Sequence, residues 1–77
     1  MQSIGERGTI TEIDRRRQRG TIRGEDGRIH HFDREGMVEW LQFDRLNPDD
    51  PVRYDVETTG SAINVERIER TRKAEPF

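Results

Sequence analysis

The most informative part of the sequence reads Arg15-Arg16-Arg17-Gln18-Arg19-Gly20-Thr21-Ile22-Arg23-Gly24-Glu25-Asp26-Gly27-Arg28-Ile29-His30-His31-Phe32. A basic loop leads through a glycine into a short β-type segment. Asp26-Gly27 then favours a tight hairpin turn, because both residues tolerate positive φ. The second β-type segment carries two histidines and a phenylalanine. This order of loop, strand, turn and strand predicts one half of a small β-barrel.

Working outward from this hairpin, the chain shows three further β-type segments and one helical pattern. Residues 8–14 are rich in β-branched side chains, and residues 52–57 and 62–68 alternate apolar with polar side chains. Residues 34–46 have apolar side chains near helical spacing. The strands are therefore predicted at 8–14, 20–23, 28–33, 52–57 and 62–68.

Three consecutive strands, a longer excursion and two final strands predict an all-β fold. The expected architecture is a five-stranded antiparallel Greek-key barrel of the OB type, with a short helix or helical turn between strands 3 and 4. An SH3-like barrel is the alternative, since it also fits five short strands in this length. We expect one domain over residues 1–68 and a polar C-terminal tail over 69–77.

Composition limits the classes of protein. Only 29% of the 77 residues are hydrophobic and 39% are charged, which predicts a thin core. The absence of cysteine excludes disulfides and cysteine-ligated metal sites. No apolar run suits a signal peptide or a membrane span, so we expect a cytoplasmic protein without a membrane partner. No pattern of nucleophile and base is present, so neither an enzyme, a small-molecule substrate, a cofactor nor a metal site is predicted.

The charge is unevenly distributed, although the formal net charge is only −2. Residues 1–34 hold eight Arg and six acidic residues, a balance of +2. Residues 35–77 hold six basic and ten acidic residues, a balance of −4. An anion-binding surface is therefore expected from the first half of the chain. Thirteen of the fourteen basic residues are arginine, which favours planar, stacking or bidentate contacts.

Several short motifs, in their order and spacing, resemble the cold-shock domain family over roughly residues 8–68. They are Gly8-Thr9-Ile10, Gly20-Thr21-Ile22, Glu25-Asp26-Gly27, Phe43-Asp44-Arg45-Leu46-Asn47, Val52-Arg53-Tyr54-Asp55-Val56-Glu57 and Ala62-Ile63-Asn64-Val65-Glu66-Arg67-Ile68. The resemblance implies an OB-fold barrel that binds single-stranded RNA or DNA, often as an RNA chaperone.

The chain departs from this family at the positions of the stacking aromatics. The family's first-strand Trp falls on Glu12, and the aromatic after it falls on Ile13. The two Phe of its first ribonucleoprotein motif, Lys-Gly-Phe-Gly-Phe-Ile, fall on Arg19 and Thr21. Its second motif, Val-Phe-Val-His-Phe, fits either residues 30–34 or residues 28–32. We prefer 30–34, which keeps the downstream spacing, and expect the register to determine which histidine faces a ligand.

Two functions follow as hypotheses. In the first, a divergent cold-shock-like domain binds single-stranded RNA or DNA weakly and mainly by electrostatics. Its nucleic-acid-binding residues would be Arg15, Arg16, Arg17, Arg19, Arg23, Arg28, His31 and Phe32. In the second, the barrel is a protein-interaction or regulatory module that contacts a partner through the Trp40 region or the acidic second half. Trp40, Leu41 and Phe43 are themselves expected to be core or lid packing. One histidine of His30-His31 should be packed and the other exposed.

Overall fold

The computed structural model describes residues 3–68, and the predicted tail at 69–77 lies outside the described residues. Five strands form one antiparallel sheet in the order β3-β2-β1-β4-β5. The strands are β1 (Ser3–Asp14), β2 (Arg19–Gly24), β3 (Ile29–Asp33), β4 (Pro51–Val56) and β5 (Ala62–Arg67).

The sheet curls into a half-barrel because β1 is long and is shared by two neighbours. Its second half pairs with β2 and its first half pairs with β4, with a register shift in each ladder. The order β4-β1-β2-β3 is that of a Greek key. A parallel bridge between Met37 and Val65 joins the two ends of the sheet. The predicted all-β, five-stranded, OB-like fold is confirmed.

The connection from β3 to β4 contains two short 3₁₀ turns, Arg34–Gly36 and Trp40–Arg45. Asp33 caps the first turn, since its carboxylate accepts a hydrogen bond from the Gly36 amide at 3.0 Å. The helical pattern over residues 34–46 thus forms helical turns and not one continuous helix. Within residues 3–68 no helix is long and apolar enough to cross a membrane.

The core is thin, as the composition predicts, and it fills the concave side of the sheet. The buried apolar side chains are Ile10, Ile22, Phe32, Met37, Phe43, Leu46, Val52, Tyr54, Ala62 and Val65. Phe43 therefore packs in the core as expected. The same expectation was wrong for Trp40 and Leu41, which are 56% and 67% exposed.

Trp40 stays outside the core because a charged side chain lies beneath it. The Arg34 guanidinium stacks 3.9 Å from the centre of the Trp40 ring and 5.8 Å from that of Phe43. It also donates to the Asp44 carboxylate at 2.9 Å and to the Trp40 carbonyl at 3.2 Å. Arg34 is consequently buried, and it separates the indole from the apolar interior.

Candidate nucleic-acid interface

The β2–β3 hairpin has one apolar side and one polar side. On β2, Gly20, Ile22 and Gly24 are buried, whereas the side chains between them face outward. Gly20 needs the absence of a side chain, because a Cβ there would lie 2.6 Å from the Glu12 carbonyl oxygen. Thr21 is opposite His31 in the ladder, so the two share the outer face.

A surface cleft lies at the end of the sheet where β1 and β2 meet their connecting loop. It runs over β1, β2 and β3 and is bordered by the β1–β2 loop and Pro48. We call it the outer groove, and its polar lining residues are Thr11, Glu12, Asp14, Arg15, Arg16, Arg19, Thr21 and His31. A shallower depression continues from Arg19 and His31 towards the β4–β5 hairpin.

The floor of the outer groove includes two threonine hydroxyl groups beside the apolar side chains of Ile13, Phe32 and Pro48. The Thr11 and Thr21 hydroxyl oxygens are 2.5 Å apart, and the Thr11 hydroxyl also donates to the Thr21 carbonyl at 3.3 Å. Neither threonine provides the flat apolar surface on which a base would stack. The two threonines can therefore donate and accept hydrogen bonds but cannot replace an aromatic platform.

Two arginines in the groove have no partner within the described part of the chain. The side chains of Arg16 and Arg19 are exposed, and neither makes an ion pair or a hydrogen bond within residues 3–68. An arginine guanidinium can stack on a base and pair with a phosphate in the same site. These two positive charges are thus free to meet an anionic ligand.

Three further predicted arginines of the loop and hairpin, Arg17, Arg23 and Arg28, lie outside the groove lining. Arg17 lies beside Arg16 and pairs with Asp14 at 3.7 Å. Arg23 faces outward further along β2, opposite Ile29. Arg28 follows the hairpin turn and pairs with Asp26 at 3.7 Å. These pairs are exposed and weak, so the three arginines can still contribute to the positive field.

Arg15, which is exposed and lines the groove as well, differs from Arg16 and Arg19 because its guanidinium is bound within the protein. Its guanidinium donates to the carbonyl oxygens of Phe43 and Leu46 and to the Asn47 side chain, the last at 3.2 Å. The side chain therefore clamps the end of the second 3₁₀ turn to the β1–β2 loop. Sequence could not separate it from its neighbours in the run Arg15–Arg17.

Phe32 is predicted to contact a ligand, but its side chain is buried in the core. Its side chain is 4% exposed and packs edge-on against Phe43, with 6.2 Å between the ring centroids. It faces the core because it pairs with buried Gly20, whereas His31 before it pairs with outward-facing Thr21. Alternation along a strand places consecutive residues on opposite faces.

The two histidines divide as expected, one packed and one exposed. His30 is half-buried against Tyr54, and its Nδ1 lies 2.9 Å from the Gly60 carbonyl oxygen. His31 is exposed in the outer groove. The expectation that the two motif placements disagree about the facing histidine was wrong. The placements differ by two residues, so both leave His31 on the outer face.

Three carboxylates, those of Glu6, Glu25 and Asp26, lie near the Tyr54 hydroxyl at the opposite end of the barrel, close to the β2–β3 turn. The pKa of Tyr54 is raised, first by burial of its hydroxyl and then by the carboxylates of Glu6, Asp26 and Glu25. Arg7, Arg23 and Arg28 lie at the same end, so its charge is mixed.

No protein-family model matches the chain, and no curated protein matches it. The resemblance to the cold-shock domain family consequently stays an interpretation of the sequence motifs.

Proposed function

We propose that this protein binds single-stranded RNA or DNA along the outer groove, as a divergent cold-shock-like OB domain. The observation that carries the proposal is the pair Arg16 and Arg19, which are exposed beside His31 and have no protein partner within residues 3–68. A groove with free guanidinium groups and a stackable imidazole suits a flexible polyanion with exposed bases.

Electrostatics supplies most of the affinity in this proposal. Each stacked base contributes ~1–3 kcal/mol on an aromatic platform, and His31 is the one aromatic ring that lines the groove with an exposed side chain. Phosphate contacts from Arg16, Arg19 and the surrounding arginines replace part of the lost stacking. Binding is therefore weak and strongly dependent on salt, and it depends on the identity of the base at one contact only. The proposal includes a cytoplasmic location, where single-stranded RNA is abundant.

The test is the affinity of a labelled oligouridine and a labelled oligothymidine, measured by fluorescence anisotropy at several salt concentrations. Arg19→Glu is compared with Arg7→Glu, which makes the same charge change at an exposed β1 position outside the groove. We expect Arg19→Glu to weaken binding about tenfold or more, and Arg7→Glu to have a much smaller effect. Losing one phosphate contact lowers the slope of log K against log salt by about 0.7. Equal effects of the two variants would contradict the groove as the binding surface.

A second candidate function is protein interaction through the exposed apolar patch of Val38, Trp40 and Leu41. All three side chains are more than half exposed on consecutive turns of the β3–β4 connection. Exposed patches that contain tryptophan are typical of protein interfaces. Pull-down with wild-type protein and with Trp40→Ala tests this function. Specific recovery of a partner that is lost with Trp40→Ala supports it, and equal recovery with both proteins contradicts it.

A further inference from the structure

The β1 bulge places the acidic side chain of Glu12 in the outer groove, which is also lined by Asp14 and by three arginines. Ile10 pairs with Ile22, but the next pair along the ladder is Glu12 with Thr21, so Thr11 is an extra residue in β1. Thr11 still reaches the outer face, where its hydroxyl contacts that of Thr21. The bulge therefore places two consecutive polar side chains opposite one residue of β2.

Glu12 has no internal role that explains its position. It is exposed, lines the groove with Arg19 and His31, and makes no ion pair or side-chain hydrogen bond within residues 3–68. Asp14, two residues later, differs because its carboxylate accepts a hydrogen bond from the Arg17 amide at 3.0 Å and pairs with the Arg17 guanidinium. Glu12 is thus a hydrogen-bond acceptor that is available to a ligand.

A carboxylate in such a groove interacts differently with the phosphate and with the base of a nucleotide. It repels a phosphate, so the backbone must follow the arginines, and a base edge must lie over Glu12. Among the bases, guanine offers two adjacent donors, N1–H and the N2 amine, which match both oxygens of a carboxylate. Uracil and thymine offer a single N3–H between two carbonyl oxygens, and those oxygens repel the carboxylate.

We propose that Glu12 makes the outer groove select guanine in a single strand, an inference that rests on the proposed function. The Glu12 carboxylate accepts the N1–H and N2 amine hydrogens of one guanine. Arg19 and His31 lie across the same groove and hold the base and its flanking phosphates. Adenine and cytosine each present one amine hydrogen at this edge, so they are bound less well than guanine.

The experiment compares oligouridine heptamers that carry one central uridine, guanosine or inosine, by fluorescence anisotropy at low salt. Inosine keeps N1–H and lacks the N2 amine. We expect the wild-type protein to bind the guanosine oligomer about tenfold more tightly than oligouridine, with inosine between them. Glu12→Gln should bring all three affinities within about twofold, because an amide offers one acceptor oxygen and one donor nitrogen.

The control variant is Glu25→Gln, which removes the same charge from the exposed β2–β3 turn, outside the groove lining. It should leave the guanosine preference unchanged. Equal binding of the three oligomers by wild-type protein, or a preference that persists in Glu12→Gln, would overturn the inference and leave nucleic-acid binding intact. Absence of binding to every oligomer would overturn the proposed function and this inference together.

Discussion

Two groups of arginines lie close together in this chain and have opposite surroundings. We call Arg15 and Arg34 the anchoring arginines, because their guanidinium groups bind groups of their own protein. Arg15 donates to the carbonyl oxygens of Phe43 and Leu46. Arg34 stacks on the Trp40 ring, donates to the Trp40 carbonyl and binds the Asp44 carboxylate. Arg16 and Arg19, the groove arginines, have no such partner within residues 3–68. Arginines that are neighbours in an arginine-rich segment can therefore have different roles. Each guanidinium must be assigned from the groups around it.

The largest expected effect on stability comes from the more buried anchoring arginine. Arg34→Ala removes the stack on Trp40, the hydrogen bond to Asp44 and the packing of the aliphatic stem, and should lower the free energy of unfolding by about 2 kcal/mol. Urea denaturation followed by Trp40 fluorescence measures this change. Arg45→Ala, an exposed change in the second 3₁₀ turn, should have a free energy of unfolding within about 0.5 kcal/mol of that of the wild type. A cost for Arg34→Ala as small as that of Arg45→Ala would break the distinction.

Arg15 and Arg16 are adjacent and provide the sharpest matched pair. Arg15→Ala should lower the free energy of unfolding by about 1–2 kcal/mol, because the Leu46 carbonyl oxygen loses its side-chain donor and the Phe43 carbonyl oxygen keeps only the Leu46 amide. Arg16→Ala should leave stability within about 0.5 kcal/mol. Urea midpoints of the two variants compare these costs directly.

The same pair should reverse its order when binding is measured. Arg16→Ala should weaken the affinity for oligouridine severalfold, because one charge that faces phosphate is lost. Arg15→Ala should leave that affinity nearly unchanged at a temperature where the variant is folded. If both variants shifted stability and binding to the same extent, the division into anchoring and groove arginines would fail.

The smallest expected effect is a dependence on pH that avoids both arginine groups. The pKa of Asp55 is lowered, mainly by the hydrogen bond from the Asn64 side chain and then by that from the Gly5 amide, each at 2.9 Å. A carboxyl whose pKa is lower in the folded state stabilises the protein above the ordinary value of 3.8. This contribution is lost as pH falls through the folded-state pKa.

Asp55→Asn should therefore be slightly less stable than wild type at neutral pH. The difference should shrink as the pH falls below 3.8, where the wild-type carboxyl becomes protonated. Urea midpoints of the two proteins across this range provide the measurement. A difference that grows on acidification would contradict the assigned hydrogen bonds. Binding of oligouridine at neutral pH should be the same for both proteins.

The sequence predicts most of the fold because strand patterns and turns are local signals. The Asp26-Gly27 turn and the alternation of residues 52–57 place their strands to within about one residue of the observed bounds. The first strand is the main exception, since β1 begins at Ser3, five residues before the predicted start at Gly8. Gly5, with a φ of +71°, interrupts the pattern, and pairing with β4 extends the strand beyond that point.

The site was less predictable because it depends on contacts between distant parts of the chain. Both placements of the second motif put His31 on the same face of β3, so its outward position could be predicted, and alternation along the strand then assigns Phe32 to the core. The clamp made by Arg15 could not be predicted, because its carbonyl partners lie about 30 residues away. The burial of Arg34 beneath Trp40 has no local signal, and it explains why an apolar spacing left an indole exposed.

The most direct test of nucleic-acid binding is an amide NMR titration with oligouridine and oligothymidine at low and then moderate salt. We expect amide shifts that weaken with salt and that concentrate on Arg16, Arg19, Thr21 and His31. The amide signals around Tyr54, near the carboxylates of Glu6, Glu25 and Asp26, should shift little. A well-dispersed folded spectrum without shifts at low salt, or with shifts centred on Val38, Trp40 and Leu41, would contradict binding through the outer groove.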